Sequence, residues 1–411
     1  MDKLTLIANK QNSAVEINLP SSKSESNRLL IMQALANNSF RISGLSSAED
    51  TILLQRALAS TKPEVNVGMA GTAYRFLCAY FAIQEGKRVR LSGADRMHER
   101  PIGILVDALR KLGAQISYLE KEGYPPLEIV GKKLSGGELK VDASVSSQFV
   151  SALLLIAPYL STTLKVGLSE LVSKPYVDLT VSLMKRLNAE IHFKGKLITV
   201  IPSKYSSKVE LEVEKDWSSA AFFYQMLALT NIPKITFVGL SENSLQGDRR
   251  LASVFESFGV KTVFTTTGVE LIKGPEVQQS LTLDLTDCPD LIPSVAVTAA
   301  ILCDFAEIKG VQTLRIKESD RVSALKNELD KIGVKVKELG KDTIQIIPKK
   351  EIDINLKVAF STYNDHRMAM CLAPLAVLFN EVEIENPKVV SKSFPHFWEE
   401  LEKCGVVKIT S

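Results

Sequence analysis

The chain has 411 residues, enough for two or three domains, and its 45% hydrophobic and 24% charged residues are typical of a globular protein. Its 50 basic and 47 acidic residues give a net charge of +3, which gives no reason to expect a nucleic-acid or membrane-binding protein. The sequence contains no P-loop, Gly-x-Gly-x-x-Gly or His-Glu-x-x-His motif, so the usual signatures of nucleotide, dinucleotide and zinc-hydrolase sites are missing.

Cysteine spacing and hydropathy both favour a cytoplasmic protein. The first ten residues, MDKLTLIANK, contain no long apolar run, and the longest apolar stretches, IPSVAVTAAILC and MAMCLAPLAVLF, are too short to span a bilayer. We therefore expect buried helices and no membrane span. The scattered cysteines form no Cys-x-x-Cys pair, which predicts reduced thiols and no metal site. They are Cys78, Cys288, Cys303, Cys371 and Cys404.

An internal repeat organises the chain. Each copy has a helix that ends in a bulky residue followed by Gly or Asn, the usual helix stop, and then two short alternating segments that predict strands. The bulky residue recurs at steps of 75, 71, 74 and 72 residues. Leu58 precedes the next marker by only 54 residues, so the first copy is shorter by about 20 residues. The other markers are Leu112, Leu187, Phe258, Ile332 and Cys404.

Each copy also contains an earlier helix that starts near a Ser, Thr or Asp, the residues that cap free backbone N–H groups. This spacing predicts equivalent positions in similar α/β units. If the units surround threefold axes, the helix N-termini point the same way and favour an anion. The residues at these starts are Ser24, Thr72, Ser147, Ser218, Asp290 and Asp365.

The first two predicted helix starts carry candidate anion ligands. In LPSSKSESNRLLIMQAL, Ser24 and Arg28 share a helix face and Lys23 lies at the start; a capped surface helix is the alternative. In VGMAGTAYRFLCAYFAI, Gly71 precedes Thr72 and permits close approach of a ligand to the backbone. Arg75 follows in an aromatic stripe, where a structural salt bridge would explain it equally well.

Polar groups continue in the next two copies. SGADRMHERPIGIL places Arg96, His98 and Arg100 in a predicted loop before a helix that starts at Pro101. Two arginines four residues apart suit a carboxylate or phosphate, although a solvated basic turn is also compatible. VSSQF and LVSKPY add further hydroxyl, amide and basic groups, of types too common to be decisive singly. These residues are Ser146, Ser147, Gln148, Ser173, Lys174 and Tyr176.

In the second half of the chain, the charged candidate residues are more closely spaced than in the first half. Asp290 opens an almost entirely apolar helix, as either a cap or a general base. RIKESDR is compatible with a solvated face or with a site, whereas YNDHR precedes a helix with no other charge for a dozen residues. Together with the earlier basic residues, these groups indicate small ligands that carry phosphate and carboxylate. The candidate groups are Asp290, Lys317, Glu318, Arg321, Arg367 and Lys392.

Eight motifs now point to a family: KSESNR, AGTAYR, DRMHERPIG, SSQF, VSKPY, RIKESDR, YNDHRMAM and SKSFP, in that order. In these motifs the chain resembles the 5-enolpyruvylshikimate-3-phosphate synthase family over almost its whole length. The resemblance implies an α/β fold, the two-lobed enolpyruvyl transferase fold or inside-out α/β barrel, with six βαβαββ units. One lobe would span 20–215, with its first unit shortened, and the other 1–19 plus 216–411, with the active site in the cleft between them.

The resemblance also implies a reaction, in the shikimate pathway to chorismate and the aromatic amino acids. The enolpyruvyl group of phosphoenolpyruvate would pass to the 5-hydroxyl of shikimate 3-phosphate, with release of phosphate. These two small molecules would be the partners of a monomer that uses no metal or other cofactor and binds neither nucleic acid nor membrane.

The same resemblance assigns roles to residues of this chain. Asp290 would be the base, Glu318 the acid that protonates the methylene carbon, and Lys23 a third catalytic group that touches both substrates. Lobe closure would exclude water. Shikimate 3-phosphate would contact Lys23, Ser24, Arg28, Ser146, Ser147, Gln148, Ser173, Tyr176, Asp290 and Lys317. Phosphoenolpyruvate would contact Lys23, Gly71, Thr72, Arg96, Gln148, Arg321, Arg367 and Lys392.

Three positions depart from the family pattern. Where the family commonly has Gly-Asn-Ala-Gly-Thr-Ala-x-Arg-Pro, this chain has Met69 in place of Asn and Phe76 in place of Pro. A methionine cannot donate an amide hydrogen bond, so the expected phosphoenolpyruvate contacts and the sensitivity to glyphosate-like analogues are open there. Near Thr313 the family often has Asn, and that contact is not carried over.

Two rival functions follow from the same residues. The sister enzyme that transfers enolpyruvyl to UDP-N-acetylglucosamine usually has a reactive Cys in a mobile loop, but the corresponding ADRMHERPIG has none, and Cys78 falls in an apolar helix. A non-catalytic binder or sensor would need only the cations. The presence of Asp290 and Glu318 favours catalysis, since acids in an anion site are otherwise a cost.

Overall fold

The computed structural model describes residues 2–9, 12–143, 146–206, 210–349 and 352–410. The chain forms two compact units: unit 1 comprises Met1–Pro20 and Glu214–Ser411, and unit 2 comprises Ser21–Val213. In the described ranges, every helix is too short or too polar to cross a membrane.

Unit 2 begins with a shortened repeat. Its two strands pair in parallel and form a sheet by themselves, and only residues 60–63 separate its second helix from the next repeat. The first strand comes from the far end of the unit in sequence. The elements are β12 (Leu211–Glu212), α1 (Lys23–Leu35), β3 (Ile42–Ser43) and α2 (Glu49–Ala59).

The other two repeats of unit 2 are complete, and each has a four-stranded sheet. The first strand is parallel to the second, the second is antiparallel to the last, and the last is antiparallel to the third. The second repeat comprises β4 (Glu64–Asn66), α3 (Gly71–Ala82), β5 (Arg88–Ser92), α4 (Asp95–His98), α5 (Gly103–Lys111), β6 (Gln115–Tyr118) and β7 (Leu127–Val130). The third comprises β8 (Gly137–Ala143), α6 (Ser147–Ile156), β9 (Leu164–Leu171), α7 (Lys174–Arg186), β10 (Ile191–Lys194) and β11 (Leu197–Val200).

Unit 1 holds three complete repeats, and the N-terminal segment completes two of them. The fourth repeat comprises β2 (Val15–Ile17), α8 (Trp217–Leu229), β13 (Lys234–Val238), α9 (Leu251–Glu256), β14 (Val260–Phe264) and β15 (Gly268–Lys273). The fifth comprises β16 (Ser280–Asp284), α10 (Ile292–Leu302), β17 (Phe305–Lys309), α11 (Arg321–Asp330), β18 (Lys335–Leu339) and β19 (Thr343–Ile347). The sixth comprises β20 (Lys357–Phe360), α12 (His366–Leu372), β21 (Glu381–Glu385), α13 (Phe397–Lys403), β22 (Val407–Thr410) and β1 (Lys3–Ala8).

Short 3₁₀ helices extend or precede several of these elements. They cover Ala157–Tyr159, Gly247–Arg250, Pro289–Leu291, Val311–Ile316, Ala373–Val377 and Pro387–Lys392. The predicted α/β class is confirmed, as are the βαβαββ repeats and the shortened first copy.

The first helix of every repeat packs inside its unit. In unit 1, α8, α10 and α12 contact one another, and in unit 2, α1, α3 and α6 do so. The sequence explains this placement, because a helix that is apolar on all sides must be buried on all sides. Every described residue of α10 from Ile292 to Ala300 is buried. Helix α1 buries a run of consecutive polar residues as well, at positions 25–28.

Gly310 lies in the turn after β17, close to the backbone of residues 285 and 286. A substitution at this glycine tests how closely the two segments pack. Its φ is +110°, and an added Cβ would lie 2.5 Å from the backbone N of Thr286. Because backbone cannot move aside cheaply, we expect Gly310→Ala to lower the free energy of unfolding by about 2–5 kcal/mol. Gly340→Ala is the matched control, since its φ is +64° but nothing lies within 4 Å of the added Cβ.

For Gly340→Ala we expect a loss of about 1–2 kcal/mol, from the left-handed backbone alone. Urea unfolding of both variants measures the difference. Equal losses would show that the close approach at Gly310 does not matter.

Candidate active site

Arg321, at the first position of α11, is the centre of a charged group in unit 1, here named the acid–base cluster. Its side chain is 1% exposed, and its Nε donates to Oδ2 of Asp365 at 2.7 Å. Its Nη2 donates to Glu318 at 2.9 Å and its Nη1 to Asp290 at 3.1 Å. Burial disfavours the charged form, but Asp365, Glu318 and Asp290 raise the pKa of Arg321 above its ordinary value. The cluster comprises Asp290, Lys317, Glu318, Arg321, Asp365, Arg367 and Lys392.

Asp290 lies among three cations. Oδ1 is 3.1 Å from Arg321 Nη1 and 3.5 Å from Lys317 Nζ, and Oδ2 accepts a hydrogen bond from Arg367 Nη2 at 3.1 Å. Burial works to raise the pKa of Asp290, but Arg367, Lys317 and Arg321 together hold it well below its ordinary value. This carboxylate is therefore ionised and strongly paired.

Asp365 contacts two basic residues of the cluster, the side chain of Arg321 and the backbone of Arg367. It is completely buried, caps α12 by accepting from the backbone N of Arg367 at 2.9 Å, and accepts from Ser319 Oγ at 3.0 Å. Tyr363 and Asn364, just before it, have φ of 53° and 55°, a left-handed backbone that costs free energy outside glycine. The turn therefore aims one carboxylate at both Arg321 and the start of α12.

The N-termini of α8, α10, α11 and α12 meet at this cluster. Arg367, in the first turn of α12, donates to Ser218 Oγ near the start of α8 and to the backbone oxygen of Asp290 just before α10, both at 3.1 Å. Lys392 Nζ lies 3.4 Å from Glu318 Oε1. Four basic and three acidic side chains thus share a small volume at positive helix ends, where a further anion is favoured.

A second group of polar side chains surrounds Arg28 in unit 2. Arg28 is 2% exposed, and it donates to Thr180 Oγ1 and the Ser24 carbonyl at 2.7 Å, to the Tyr176 carbonyl at 3.0 Å and to Ser151 Oγ at 3.3 Å. Four helices contribute, because these residues lie on α1, α6 and α7 and the ring of Phe76 lies on α3. We name these residues the Arg28 network: Ser24, Arg28, Phe76, Ser151, Tyr176 and Thr180.

Other predicted residues of unit 2 are held by short contacts. Lys23 Nζ donates to Asp50 at 2.9 Å; the two side chains are 17% and 5% exposed. Gln148 Nε2 donates to Thr72 Oγ1 at 3.1 Å, which joins the starts of α6 and α3. Ser173 precedes α7 with φ of 60° and is buried.

The start of α3 is tied to the segment that carries Arg96. Arg75 donates to the Gly71 carbonyl at 3.1 Å and to the Pro101 carbonyl at 3.2 Å. Arg96 pairs with Glu99 at 2.5 Å and is one-third exposed. The buried guanidinium of Arg100 lies against Gly71, where an added Cβ would be 2.5 Å from Nη1.

Comparisons with known proteins decide the family. The sequence matches the family described as EPSP synthase (3-phosphoshikimate 1-carboxyvinyltransferase) over residues 54–401. A 3-phosphoshikimate 1-carboxyvinyltransferase of Bacteroides fragilis is 42% identical, with 95% of each chain covered. One from Colwellia psychrerythraea is 37% identical, with 95% of this chain and 96% of the other covered.

The chain belongs to the EPSP synthase family. Solved structures agree on the fold: an EPSP synthase from Acinetobacter baumannii matches with a TM-score of 0.79 at 20% identity over the whole of both chains. The enolpyruvyl transferase NikO from Streptomyces tendae matches with a TM-score of 0.75 at 13% identity, over 100% of this chain and 99% of the other.

The structure places the residues predicted for this EPSP synthase family member in the two units separately. Contacts join Asp290, Glu318, Arg321, Arg367, Lys317 and Lys392 in unit 1. In unit 2, Ser24, Arg28 and Tyr176 belong to the Arg28 network, and Gln148 contacts Thr72. Lys23, Gly71, Arg96, Ser146, Ser147 and Ser173 all lie at helix starts or in short helices of unit 2.

Several local predictions were wrong. Thr72 and Ser147 lie inside α3 and α6, and Ser146 rather than Ser147 caps α6. Ser22, not Ser24, caps α1, and Asp216, not Ser218, caps α8. Arg96 lies in the one-turn helix α4 instead of a loop, and α5 starts at Gly103 rather than Pro101. Asp290 is not at the N-cap position, because it lies within the 3₁₀ helix Pro289–Leu291 and Leu291 precedes α10; its carboxylate contacts three cations.

Sequence reasoning missed several partners of the candidate residues. Asp50 accepts a hydrogen bond from Lys23 and lies 27 residues further along the chain, so no local sequence spacing indicated this contact. Thr180 follows Tyr176 by four residues on α7, so helical spacing offered a weak signal. The others missed are Ser151, which bonds Arg28, and Ser319, which bonds Asp365.

The lowered pKa of Asp290 predicts a pH-dependent contribution to stability. In the unfolded chain this carboxyl titrates near its ordinary pKa of about 3.9, so the contribution is complete above about pH 4 and is lost as pH falls toward the folded-state pKa. We expect Asp290→Asn to lower the free energy of unfolding by about 1–3 kcal/mol from pH 8 to 5, and by less below pH 4.

Urea unfolding followed by the fluorescence of Trp217 and Trp398 measures this difference. The exposed Asp304 gives the control Asp304→Asn, for which we expect little change at any pH. A loss at Asp290 that already fades between pH 8 and 5 would contradict the assignment.

Proposed function

We propose that this chain transfers the enolpyruvyl group of phosphoenolpyruvate to the 5-hydroxyl of shikimate 3-phosphate and releases phosphate. The observation that carries the proposal is the acid–base cluster, in which a buried arginine and three further cations surround two carboxylates suited to proton transfer. The names of relatives up to 42% identical support the same reaction. The proposal assigns substrate contacts to residues of both units and requires that they act together.

Phosphoenolpyruvate matches the cations of the cluster. It carries a phosphate and a carboxylate, and Arg321, Arg367 and Lys392 are buried donors. Arg321 and Arg367 also lie in the first turns of α11 and α12, at positive helix ends. In the addition intermediate both anionic groups sit on one carbon, so fixed positive charge stabilises it more than the separate substrates. From unit 2, Lys23, Gly71, Thr72, Arg96 and Gln148 are the proposed further contacts.

The same cluster explains how Asp290 becomes a base. A carboxylate whose pKa is held far down by Arg367, Lys317 and Arg321 is a weak proton acceptor. Phosphoenolpyruvate competes for Arg321 and Arg367, and this competition raises the pKa of Asp290 when phosphoenolpyruvate binds. The base is thus strengthened when phosphoenolpyruvate is bound.

The proton balance follows from these roles. Asp290 takes the 5-hydroxyl proton, Glu318 delivers a proton to the methylene carbon, and the hydroxyl oxygen bonds to the central carbon of phosphoenolpyruvate. Phosphate then leaves with the proton that Asp290 had received, and the methyl group returns a proton to Glu318, which restores the enol ether and both side chains. Lys23, held by Asp50 at 2.9 Å, supplies a cation beside both anionic substrates.

Shikimate 3-phosphate is assigned to unit 2 with help from two residues of the cluster. Four of the five N–H groups of Arg28 are occupied, which leaves one on Nη1 directed to the ligand. The other proposed contacts are Lys23, Ser24, Ser146, Ser147, Gln148, Ser173, Tyr176, Asp290 and Lys317. We further propose a cytoplasmic monomer that uses no metal or other cofactor.

Two alternatives are less well supported. Transfer to UDP-N-acetylglucosamine usually relies on a reactive thiol, whereas Cys78 is completely buried, and burial raises its pKa to about 12. A binder without catalysis has no use for Asp290 and Glu318, and buried acids weaken the binding of anions.

One assay separates these functions. The purified protein is mixed with phosphoenolpyruvate and either shikimate 3-phosphate or UDP-N-acetylglucosamine, and released phosphate is measured. We expect release with shikimate 3-phosphate alone. Release only with the UDP-sugar supports the sister activity, and binding without release supports a sensor.

Loss of the proposed base should separate binding from turnover. We expect Asp290→Ala to bind shikimate 3-phosphate but to lose roughly 10²–10⁴-fold in kcat, as for removal of a general base. The exposed neighbour Asp287 gives the control Asp287→Ala, expected to be fully active. Undiminished turnover in Asp290→Ala would remove Asp290 from this role.

Gly71→Ala tests the contact at the start of α3. The added Cβ would lie 2.5 Å from Arg100 Nη1 and 2.8 Å from its Cζ, so the guanidinium must shift. We expect the KM for phosphoenolpyruvate to rise about 10- to 100-fold, since ångström displacements cost this much.

Because the displaced group is a side-chain end, the free energy of unfolding should change by less than about 1 kcal/mol. In the double variant Gly71→Ala/Arg100→Lys, the smaller lysine head group leaves more room for the added Cβ. Its KM for phosphoenolpyruvate should therefore be lower than that of Gly71→Ala. An unchanged KM in the single variant would show that this backbone is not close to phosphoenolpyruvate.

A further inference from the structure

Arg28 is a buried cation whose hydrogen-bond partners are neutral, although the charge of the Glu25 carboxylate also favours its charged form. Its four hydrogen bonds go to two hydroxyls and two backbone carbonyls, and it forms no ion pair with any residue in the described ranges. Burial lowers its pKa to about 10, and it stays charged at neutral pH. The charge is therefore available to an anionic ligand, but it needs other stabilisation while no ligand is bound.

The ring of Phe76 supplies such stabilisation. Arg28 Cζ lies over this ring, 5.4 Å from its centroid, and Phe76 is completely buried. A cation over an aromatic face gains about 0.5–2 kcal/mol, most when both groups are away from water. The hydrogen bonds act in the plane of the guanidinium, whereas the ring acts on its face, so together they fix both its position and its tilt.

Phe76 is also a departure from the family pattern, which commonly has proline at this position. Proline has no aromatic face and cannot make this contact. Phe76 lies on α3, four residues after Thr72, whereas Arg28 lies on α1. The ring therefore joins the helix that begins at Gly71 to the arginine assigned to shikimate 3-phosphate.

We propose that Phe76 is a positioning residue that holds the guanidinium of Arg28 for shikimate 3-phosphate. The inference rests on the proposed function, because that function assigns the ligand of Arg28. Phe76 itself touches no substrate in this account and acts through Arg28 alone. Its effect should therefore fall on the affinity for shikimate 3-phosphate and leave kcat at saturating substrate unchanged.

The experiment is a double-mutant cycle on shikimate 3-phosphate binding, measured by titration calorimetry. Phe76→Leu should weaken binding about 5- to 30-fold, which corresponds to about 1–2 kcal/mol, the upper part of the cation–π range and the part expected when both groups are buried. Phe76→Tyr keeps the aromatic face and should stay within about threefold of the parent protein. In an Arg28→Gln background, Phe76→Leu should have no further effect.

A matched variant separates packing from positioning. Phe81 lies on the same helix and is equally buried, but its ring faces Lys87 rather than Arg28. Phe81→Leu should lower the melting temperature about as much as Phe76→Leu and leave shikimate 3-phosphate binding unchanged. Equal loss of binding in the two leucine variants would overturn the inference.

Two further outcomes are decisive. If Phe76→Leu weakens binding as much in the Arg28→Gln background as in the parent, Phe76 does not act through Arg28, and the inference is wrong. If the parent protein does not bind shikimate 3-phosphate, the proposed function fails and the inference fails with it. Binding by the parent with no effect of Phe76→Leu overturns the inference alone.

Discussion

The ion pair between Arg321 and Asp365 is the contact on which the acid–base cluster depends. Both side chains are almost completely buried, at 1% and 0% exposure, so each would be costly without the other. Asp365 also caps α12 through the backbone of Arg367, and Arg321 extends to Asp290 and Glu318. One carboxylate thus sets the positions of two cations and, through them, of both proposed proton-transfer groups.

The two units hold a buried arginine in different ways, and the difference has chemical consequences. Arg321 is compensated by carboxylates, so an incoming anion competes with Asp290 and Glu318 for its positive charge. Arg28 is held by hydroxyls, carbonyls and an aromatic ring, so its charge needs no such exchange. The first arrangement couples anion binding to the basicity of Asp290, whereas the second suits a ligand that is bound but not altered near the cation.

Local signals in the sequence were sufficient to predict the repeats. They were not sufficient to predict contacts between side chains that are far apart in the sequence. Helix stops and polar helix starts are encoded within a few residues, so their 71- to 75-residue spacing revealed the units. The cap of α1 was misplaced because several serines compete there, and the extended backbone at Ser22 decides among them. Contacts such as Arg28 with Thr180, 152 residues apart, depend on helix packing that no short window contains.

The shortened first repeat shows which part of a repeat the chemistry requires. In the complete repeats the final strand pair follows the end of the second helix, as β6 and β7 follow α5. None of the candidate site residues lies in such a pair, because they are at the starts of helices or in the turns before them. The first repeat has lost its strand pair but keeps α1 with Lys23 and Arg28, and α2 with Asp50. The absence of this strand pair therefore leaves the helix starts, with their partial positive charge and their side-chain partners, in place.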